Sequence, residues 1–262
     1  MPDPLATRST TDPASSIATA PAVDAVTTVS TVSEMPEVDG CAAGGRARLA
    51  VLASGSGSNL GAILSACADG SLNADVVLVA GDQPNAGAFD RARDAGVPAT
   101  AVLAVPADRT QRRAWASELG ELVAVHQPDW VILAGFMRIL PSEFLNRFPN
   151  QVVNLHPALP GEFPGTHAIE RALSEAKNGL RTSTGIMVHL VPDEGVDDGP
   201  VLATQIIPIL PSDDLESLSS RVHQAEHALL VETLRTLTTS AATTPLDTAA
   251  IATVHTTNPT RN

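Results

Sequence analysis

Residues 48–59 read RLAVLASGSGSN, a short apolar run followed at once by a turn of serine, glycine and asparagine. This pattern predicts a buried strand and a tight turn, and residues 60–68 then show the periodicity of a helix. The same alternation of apolar strand and helix continues to about residue 238. The further predicted strands are residues 75–80, 98–103, 129–134, 152–156, 184–191 and 201–209, and the further predicted helices are residues 86–95, 109–126, 141–148 and 213–237.

Apolar strands separated by helices are typical of one fold class. Strands that are buried on both faces read as continuous apolar runs, and helices connect their parallel neighbours. We therefore predict an α/β fold of Rossmann-like type, with a mostly parallel, twisted sheet and helices on both faces. In such folds ligands bind beyond the carboxyl ends of the strands, so polar residues at those ends are the first candidates for a site.

The composition excludes several classes of function. The 262 residues carry 29 acidic and 16 basic side chains, a net charge of −13, which argues against nucleic acid or a membrane surface as a partner. No apolar run approaches the roughly 18 residues of a membrane span. Two cysteines, Cys41 and Cys67, are too few for a disulfide framework and fit a reducing cytoplasm. The single lysine, Lys177, leaves no Walker-type phosphate loop.

The chain is predicted to form one domain between two tails. Residues 1–45 contain one arginine and six acidic residues, a net charge of −5, and they lack apolar periodicity. Such a segment buries too little apolar surface to offset its ordering entropy. We expect a disordered tail over residues 1–45, a folded domain over residues 46–238, and a second disordered tail, rich in Thr and Ala, over residues 239–262.

The turn after the first strand has the features of an anion-binding loop. Small residues let the backbone approach a ligand closely, and free N–H groups at a helix start favour a phosphate. Three alternatives stay open: a phosphate loop, which the sequence favours, a dinucleotide loop, and a plain turn capped by serine. The dinucleotide fingerprint lacks its third glycine because Leu60 stands there, although Asp82 could still bind a ribose.

Asn154 and His156 lie at the end of a predicted strand. Residues two apart in a strand share a face, so the amide and the imidazole point the same way, an arrangement suited to polarising a carbonyl and moving a proton. The alternative is a strand end whose polar residues only cap the backbone. The acidic turn at residues 192–200 is by default a solvated turn, but one of its carboxylates could orient His156.

Two further segments are candidates for binding. His223, Glu226 and His227 match the inverted zinc-protease string H-x-x-E-H, but only about 35 residues follow, too few to complete a zinc site. A helix that offers Glu226 to a ligand amine, or only to solvent, fits better. The loop GFMRIL at residues 135–140 follows a strand and is either core packing or the lining of a pocket for a flat ring.

Taken together, these segments resemble one family. The strings LASGSGSNL, LAGFMRIL, NLHPALPGEFPGTHA, TGIMVHLV, DEGVDDGPV and RVHQAEHALL are similar in order and spacing to motifs of the phosphoribosylglycinamide formyltransferases, folate-dependent enzymes of purine biosynthesis. The resemblance covers about residues 48–237. It implies the formyltransferase form of the Rossmann-like fold, and the transfer of a formyl group from 10-formyltetrahydrofolate to the amine of glycinamide ribonucleotide.

The resemblance also implies roles for individual residues. The residues that would hold the ribonucleotide are Gly57, Ser58 and Asn59 at its phosphate and Glu226 at its amine end. The residues that would form the folate site are Arg112, Met137, Arg138, Ile139, Leu140 and Asn154, with Arg113 as the alternative to Arg112. The catalytic group would comprise Asn154, His156 and Asp197, with His167 near the wall of the site.

The chain departs from the family pattern at four positions. Pro160 and Gly161 keep the length of the loop after His156 but change its stiffness. Met187 stands where a small hydroxyl residue is usual, and Asp198 places a second acid beside the catalytic one. The spacing to the following Gly-Pro pair favours the first acid of this pair, Asp197, as the catalytic residue.

Two other functions stay open. Formyltetrahydrofolate deformylase, a hydrolase, shares the Asn/His/Asp arrangement but carries an extra folded regulatory domain at its start. A non-catalytic nucleotide- or folate-binding module would not need the catalytic group. The expected partners are small molecules and not nucleic acid or a membrane, and the expected location is the cytoplasm. No metal is required, because hydrogen-bond donors and one charged pair can stabilise an oxyanion. The oligomeric state is left open.

Overall fold

The computed structural model describes residues 45–240, which form a seven-stranded sheet covered by helices. The strands are β1 (Ala47–Leu52), β2 (Ala74–Gly81), β3 (Thr100–Val102), β4 (Trp130–Leu133), β5 (Val152–His156), β6 (Ser183–Leu190) and β7 (Val201–Pro208). The helices are α1 (Ser58–Ala68), α2 (Gly87–Asp94), α3 (Arg112–Ala124), α4 (Ser142–Leu145), α5 (Ala168–Lys177) and α6 (Leu215–Ser240). A 3₁₀ turn, Arg109–Gln111, precedes α3.

The strands follow one another across the sheet in the order β3-β2-β1-β4-β5-β6-β7. The pairs from β3 to β5 are parallel, whereas β6 runs antiparallel to both β5 and β7. β7 runs antiparallel to β6 because the short acidic turn that joins them can connect only antiparallel neighbours. The prediction of a mostly parallel sheet is confirmed.

Helices cover both faces of the sheet, as predicted. Along β1, Leu49 and Val51 pack into a core with α1, α2, α5 and α6, whereas Ala50 and Leu52 pack into a second core with α3 and α4. Residues of a strand alternate between faces, so a strand buried on both sides is apolar throughout. This two-sided burial explains the unbroken apolar runs of the sequence.

Four helices differ from the sequence prediction. Helix α5 was not predicted, although its buried residues Ala168, Ile169, Ala172 and Leu173 have helical spacing and were a usable signal. The helix predicted at residues 141–148 is only the single turn α4, and the one predicted at residues 109–126 opens with a 3₁₀ turn. Helix α6 continues through residues 239–240. The rest of the two predicted tails lies outside the described residues.

The topology places the candidate residues at one edge of the sheet. β1, β4 and β5 are adjacent and parallel, so the loops that follow these strands open at the same edge. These loops contain the anion loop, the GFMRIL segment and the residues after His156.

None of the helices within residues 45–240 combines the length and hydropathy needed to cross a membrane.

Candidate active site

The anion loop ends at a position, Gly57, that no residue with a side chain can occupy without strain. Gly57 is the N-cap of α1, with a left-handed φ of 72°, and no side chain caps the helix there. A Cβ at this position would lie 2.6 Å from the Cα of Ala88, closer than two carbon atoms can approach. The N–H groups of Ser58 and Asn59 at the helix start have no intrahelical partner. No serine caps the helix, so the alternative of a serine-capped turn is wrong, and these N–H groups are available to an anion.

Helix α2 fixes the carbonyl side of this loop. The Nε of Arg91 donates a hydrogen bond of 2.9 Å to the carbonyl of Ser56, and the N–H of Ala88 donates one of 3.2 Å to the carbonyl of Gly55. With these carbonyls engaged by α2, the anion loop presents its N–H groups to a ligand.

Glu226 lies against the anion loop. The Nδ2 of Asn59 donates a hydrogen bond of 3.3 Å to the Oε2 of Glu226, and both side chains are buried. Burial raises the pKa of Glu226, and this effect outweighs the hydrogen bond from Asn59 and the charge of His223. The alternative that Glu226 faces only solvent is therefore wrong, because the carboxyl is buried beside the loop.

The three predicted catalytic residues meet at the end of β5. The Nδ2 of Asn154 donates a hydrogen bond of 3.1 Å to the Oδ1 of Asp197. The Nδ1 of His156 lies 3.2 Å from the Oδ2 of the same carboxylate. The two β5 side chains therefore share a face, as their spacing predicted, and the acidic turn brings its carboxylate to both of them.

Asp197, and not Asp198, is the acid of this group. Asp197 has a left-handed φ of 56°, an unusual conformation that places its side chain, only 11% exposed, in the site. The N–H of Gly165 donates a further hydrogen bond of 2.8 Å to its Oδ2. Asp198 is exposed and folds over Gly195 within the turn itself. The backbone of the turn therefore directs the carboxylate of Asp197 into the site and leaves that of Asp198 within the turn.

The electrostatics of the group favour an ionised acid beside a neutral base. Burial raises the pKa of Asp197, but its contacts with His189 and with the N–H of Gly165 outweigh this effect and hold the pKa below its usual range. Burial also lowers the pKa of His156; Asp197 raises that pKa in part, and the result stays below the ordinary value. The Nε2 of His156 is buried and has no hydrogen-bond partner within residues 45–240, so it is the unengaged polar atom of the group.

His189 is a member of the site that sequence reasoning missed. It stands directly opposite Asn154 in the antiparallel pairing of β5 and β6. Its Nδ1 lies 2.8 Å from the carbonyl of Leu190, which requires a proton on Nδ1 and leaves Nε2 as an acceptor in the neutral ring. The Nδ2 of Asn154 lies 3.1 Å from that Nε2. His189 thereby fixes which way the Asn154 amide faces.

The GFMRIL loop offers both apolar surface and backbone groups. The side chains of Met137 and Ile139 are 63% and 60% exposed, whereas Leu140 belongs to the core. The N–H of Met137 donates to the hydroxyl of Ser54 at 3.0 Å, which ties this loop to the anion loop. Of the four predicted folate residues here, Met137 and Ile139 present their side chains, and Leu140 can offer only its backbone.

Arg138 is engaged within the protein. Its Nε donates a hydrogen bond of 2.6 Å to the Oδ2 of Asp82, whose side chain is 1% exposed. A buried carboxylate that is paired in this way is not available to bind a ribose, so the geometry argues against the dinucleotide alternative. Arg138 instead links the GFMRIL loop to the end of β2.

Two predicted residues are not brought into the cluster. Arg112 is exposed at the first position of α3 and has no side-chain partner within residues 45–240, whereas Arg113 pairs with Glu143 at 3.4 Å. His167, the N-cap of α5, lies 3.3 Å from Glu170. Their roles stay predictions. Within residues 45–240 no group of three or more His, Cys, Asp or Glu is arranged to hold a metal ion.

Comparison with known proteins identifies the family. The sequence profile described as Formyl transferase matches residues 47–234. The chain is 41% identical over 204 residues to the phosphoribosylglycinamide formyltransferase of Dictyostelium discoideum, with 73% of this chain and 98% of the relative covered. The chain belongs to the phosphoribosylglycinamide formyltransferases. The M. tuberculosis member of this family (strain CDC 1551 / Oshkosh) is 45% identical over 197 residues, with 75% of this chain and 87% of the relative covered.

Solved structures of phosphoribosylglycinamide formyltransferases share the fold. Glycinamide ribonucleotide transformylase 1 from Symbiobacterium toebii matches with a TM-score of 0.69 at 36% identity, covering 75% of this chain and 90% of that one. The corresponding protein from Geobacillus kaustophilus matches with a TM-score of 0.66 at 39% identity, covering 74% and 99%. The predicted family, fold class and formyltransferase activity are confirmed.

The lowered pKa of His156 makes stability depend on pH. Below about pH 6.5 the unfolded chain protonates this imidazole, whereas the folded protein resists protonation until its own, lower pKa. The stability is complete above about pH 6.5 and is lost as the pH falls from there through the folded pKa, by at most about 1.4 kcal/mol per pH unit. Urea unfolding between pH 7 and pH 5 should show this loss.

The variant His156→Asn should flatten that part of the stability curve. His126→Asn is the matched control, because it makes the same substitution at a ring outside the site. An equal slope in the protein and in His156→Asn would contradict the assignment of a buried, neutral imidazole.

Proposed function

We propose that the protein transfers the formyl group of 10-formyltetrahydrofolate to the amine of glycinamide ribonucleotide, a step of de novo purine biosynthesis. The observation that carries the proposal is the common edge of the anion loop and the catalytic group. β1 and β5 flank β4, and neighbouring strands lie about 4.8 Å apart, so the two parts are separated by about 10 Å. An acceptor with a phosphate at one end and an amine at the other suits this separation.

The acceptor is oriented by its phosphate. The N–H groups of Ser58 and Asn59, together with the dipole of α1, hold a phosphate at the anion loop. The amine then points toward His156. Because Glu226 contacts Asn59, we assign it to a polar group of the ribonucleotide near the phosphate, such as a ribose hydroxyl, in preference to the amine end.

The donor binds over the GFMRIL loop. The exposed side chains of Met137 and Ile139 supply apolar surface for a flat ring, and the backbone of the loop supplies groups that pair with the ring edge. Arg112 has no other partner within residues 45–240 and is available to an anionic part of the folate. Small-molecule substrates follow from this function, and the cytoplasmic location stays a prediction from composition.

The catalytic group supports attack of the neutral amine on the formyl carbon. Attack forms a new C–N bond and a tetrahedral intermediate with a negatively charged oxygen. The contact of Nδ1 of His156 with Asp197 favours a proton on Nδ1, so Nε2 is free to take the proton that the attacking amine releases. Asp197 stabilises the imidazolium that forms.

Collapse of the intermediate completes the transfer. The protonated Nε2 donates a hydrogen bond to the oxyanion and then passes its proton to the departing folate nitrogen, whose bond to carbon breaks. Asn154 is a second donor to the oxyanion. Its Nδ2 contacts Asp197 and His189 in the structure, so the substrate oxygen must replace one of these contacts.

Formyl transfer in the presence and absence of glycinamide ribonucleotide tests the function directly. We expect consumption of 10-formyltetrahydrofolate to require the ribonucleotide and to match the formation of its formylated product. Equal consumption without the ribonucleotide would indicate a deformylase. Binding of both ligands without turnover would indicate a binding module.

Substitution of the catalytic group should remove turnover and leave binding intact. Removal of a preorganised donor to an oxyanion costs roughly 10²–10³ in turnover, so Asn154→Ala and His156→Ala should lose at least that much while binding both substrates. Asp197→Asn should reduce the rate and shift its pH dependence, because it removes the charge that supports the imidazolium.

Asp198→Asn is the matched control for this set, because the exposed side chain stays within its own turn. Steady-state kinetics should show nearly normal activity for this variant. If Asp198→Asn were inactive and Asp197→Asn active, Asp198 would be the catalytic acid instead. Near-normal turnover of His156→Ala would refute the mechanism.

The anion loop should discriminate between the two substrates. Ser58→Asp places a carboxylate at the start of α1, where it repels the phosphate, so KM for the ribonucleotide should rise far more than KM for the folate. Ser65→Asp adds the same charge at an exposed position of the same helix and should change neither value. An equal rise for both substrates in Ser58→Asp would count against a phosphate at this loop.

A further inference from the structure

One loop lies beside both Asp197 and His156, which we call the catalytic pair. Residues 157–167 lead from β5 to α5, and the N–H of Gly165 in this loop donates to the Oδ2 of Asp197 at 2.8 Å. The backbone of Glu162 and Phe163 in the same loop raises the pKa of His156, although burial outweighs this effect. The position of this loop therefore affects the acid and the base together.

The backbone of this loop is held in an unfavourable conformation. Gly161, Phe163, Gly165 and His167 all have left-handed φ values, of 80°, 47°, 81° and 61°. Glycine adopts such values readily, but a residue with a bulky side chain does not. Phe163 keeps this conformation only because its surroundings hold it there.

Two arginines hold the ring of Phe163. The Cζ of Arg181 lies 4.4 Å from the centre of the ring and that of Arg171 lies 5.0 Å from it, and the phenylalanine is only 8% exposed. Both distances are within the range of cation–π attraction. We call these three residues the Phe163 stack.

Ion pairs fix Arg181 in place. Its Nε donates to Glu175 of α5 at 2.8 Å, and its Nη1 donates to Glu162 of the loop at 2.9 Å. The planar guanidinium can make both contacts and stack on a ring at the same time, which an ammonium group cannot do. Arg171 adds a hydrogen bond of 3.0 Å to the carbonyl of Pro164. The Phe163 stack thus ties the loop to α5 and to the start of β6.

We propose that the Phe163 stack is a positioning device for the catalytic pair: Arg171 and Arg181 hold the loop so that Gly165 stays bonded to Asp197 and the imidazole of His156 stays enclosed. This inference rests on the proposed function for its kinetic consequences but not for its structural ones. Neither arginine contacts the catalytic side chains, so both are positioning residues. The charged and titratable groups that face His156 are Asp197 from the acidic turn and His189 from β6.

The test compares Arg181→Met with the unchanged protein in two measurements. Arg181→Met keeps aliphatic bulk but removes the cation over the ring and both ion pairs. A released loop admits water to His156, and because burial is the largest cause of its lowered pKa, NMR titration of that ring should give a pKa nearer 6.5. His156→Asn assigns the signal. This readout needs no substrate, so it is independent of the proposed function.

The kinetic measurement separates positioning from stability. Displacement of a catalytic group by about 1 Å costs on the order of 100-fold, so kcat should fall by about tenfold to 100-fold. KM for the ribonucleotide should stay nearly constant, because the anion loop is untouched. The kcat of Arg181→Lys should lie between those of Arg181→Met and the unchanged protein. Lysine keeps a positive charge near the ring but lacks the planar guanidinium that bonds Glu175 and Glu162 together.

Control variants complete the experiment. Arg221→Met removes another two-point arginine pair, the one with Asp213, and should lower only the melting temperature. If Arg181→Met does not fold, Phe163→Leu and Arg181→Lys carry the same measurements. A lower melting temperature with unchanged kcat and an unchanged titration of His156 would overturn the proposal and leave the Phe163 stack a purely structural contact.

Discussion

One carboxylate, that of Asp197, holds the catalytic group together. A nearly buried charge must be satisfied by donors, and here they come from separate parts of the chain: the amide of Asn154 on β5, the imidazole of His156, and the N–H of Gly165 in the loop that follows. Each donor constrains its own segment. One residue of the acidic turn and several residues of the loop after β5 have left-handed backbone conformations. The strand β5 ends where its two polar side chains contact the same carboxylate. The need to satisfy this one charge therefore constrains all three segments.

The sheet sets the remaining distances. Because β4 lies between β1 and β5, the anion loop and the catalytic group are separated by the width of two strand spacings, and the loop after β4 fills the space between them. The hydroxyl of Ser54 accepts a hydrogen bond from the N–H of Met137, so the anion loop and the GFMRIL loop are coupled directly. In the proposed function, the two substrates approach His156 from opposite sides of this edge.

Local sequence pattern predicted those parts of the site that depend on one segment. The apolar runs gave the strands, and the two-residue spacing placed Asn154 and His156 on one face. The contribution of His189 depends on the register of β6 against β5, which no local pattern contains. The choice between Asp197 and Asp198 came from resemblance and spacing, but its physical cause is the backbone conformation of the turn. The sequence left a serine cap open as an alternative, because local spacing does not show that the N-cap is Gly57.

Arginine, and not lysine, fixes the loops around this site. Arg91 holds the anion loop, Arg138 holds the GFMRIL loop through Asp82, and Arg181 and Arg171 hold the loop after β5. Because the chain has one lysine, these arginines are the obvious candidates to bind anionic substrates. Each of them, however, donates a hydrogen bond to a carbonyl or carboxylate of the protein itself. A guanidinium makes several hydrogen bonds in fixed directions, so it can hold an irregular loop that has no regular secondary structure to stabilise it. In the proposed function, the backbone N–H groups and the catalytic side chains contact the substrates, and arginines that need not contact the substrates themselves make the loops rigid.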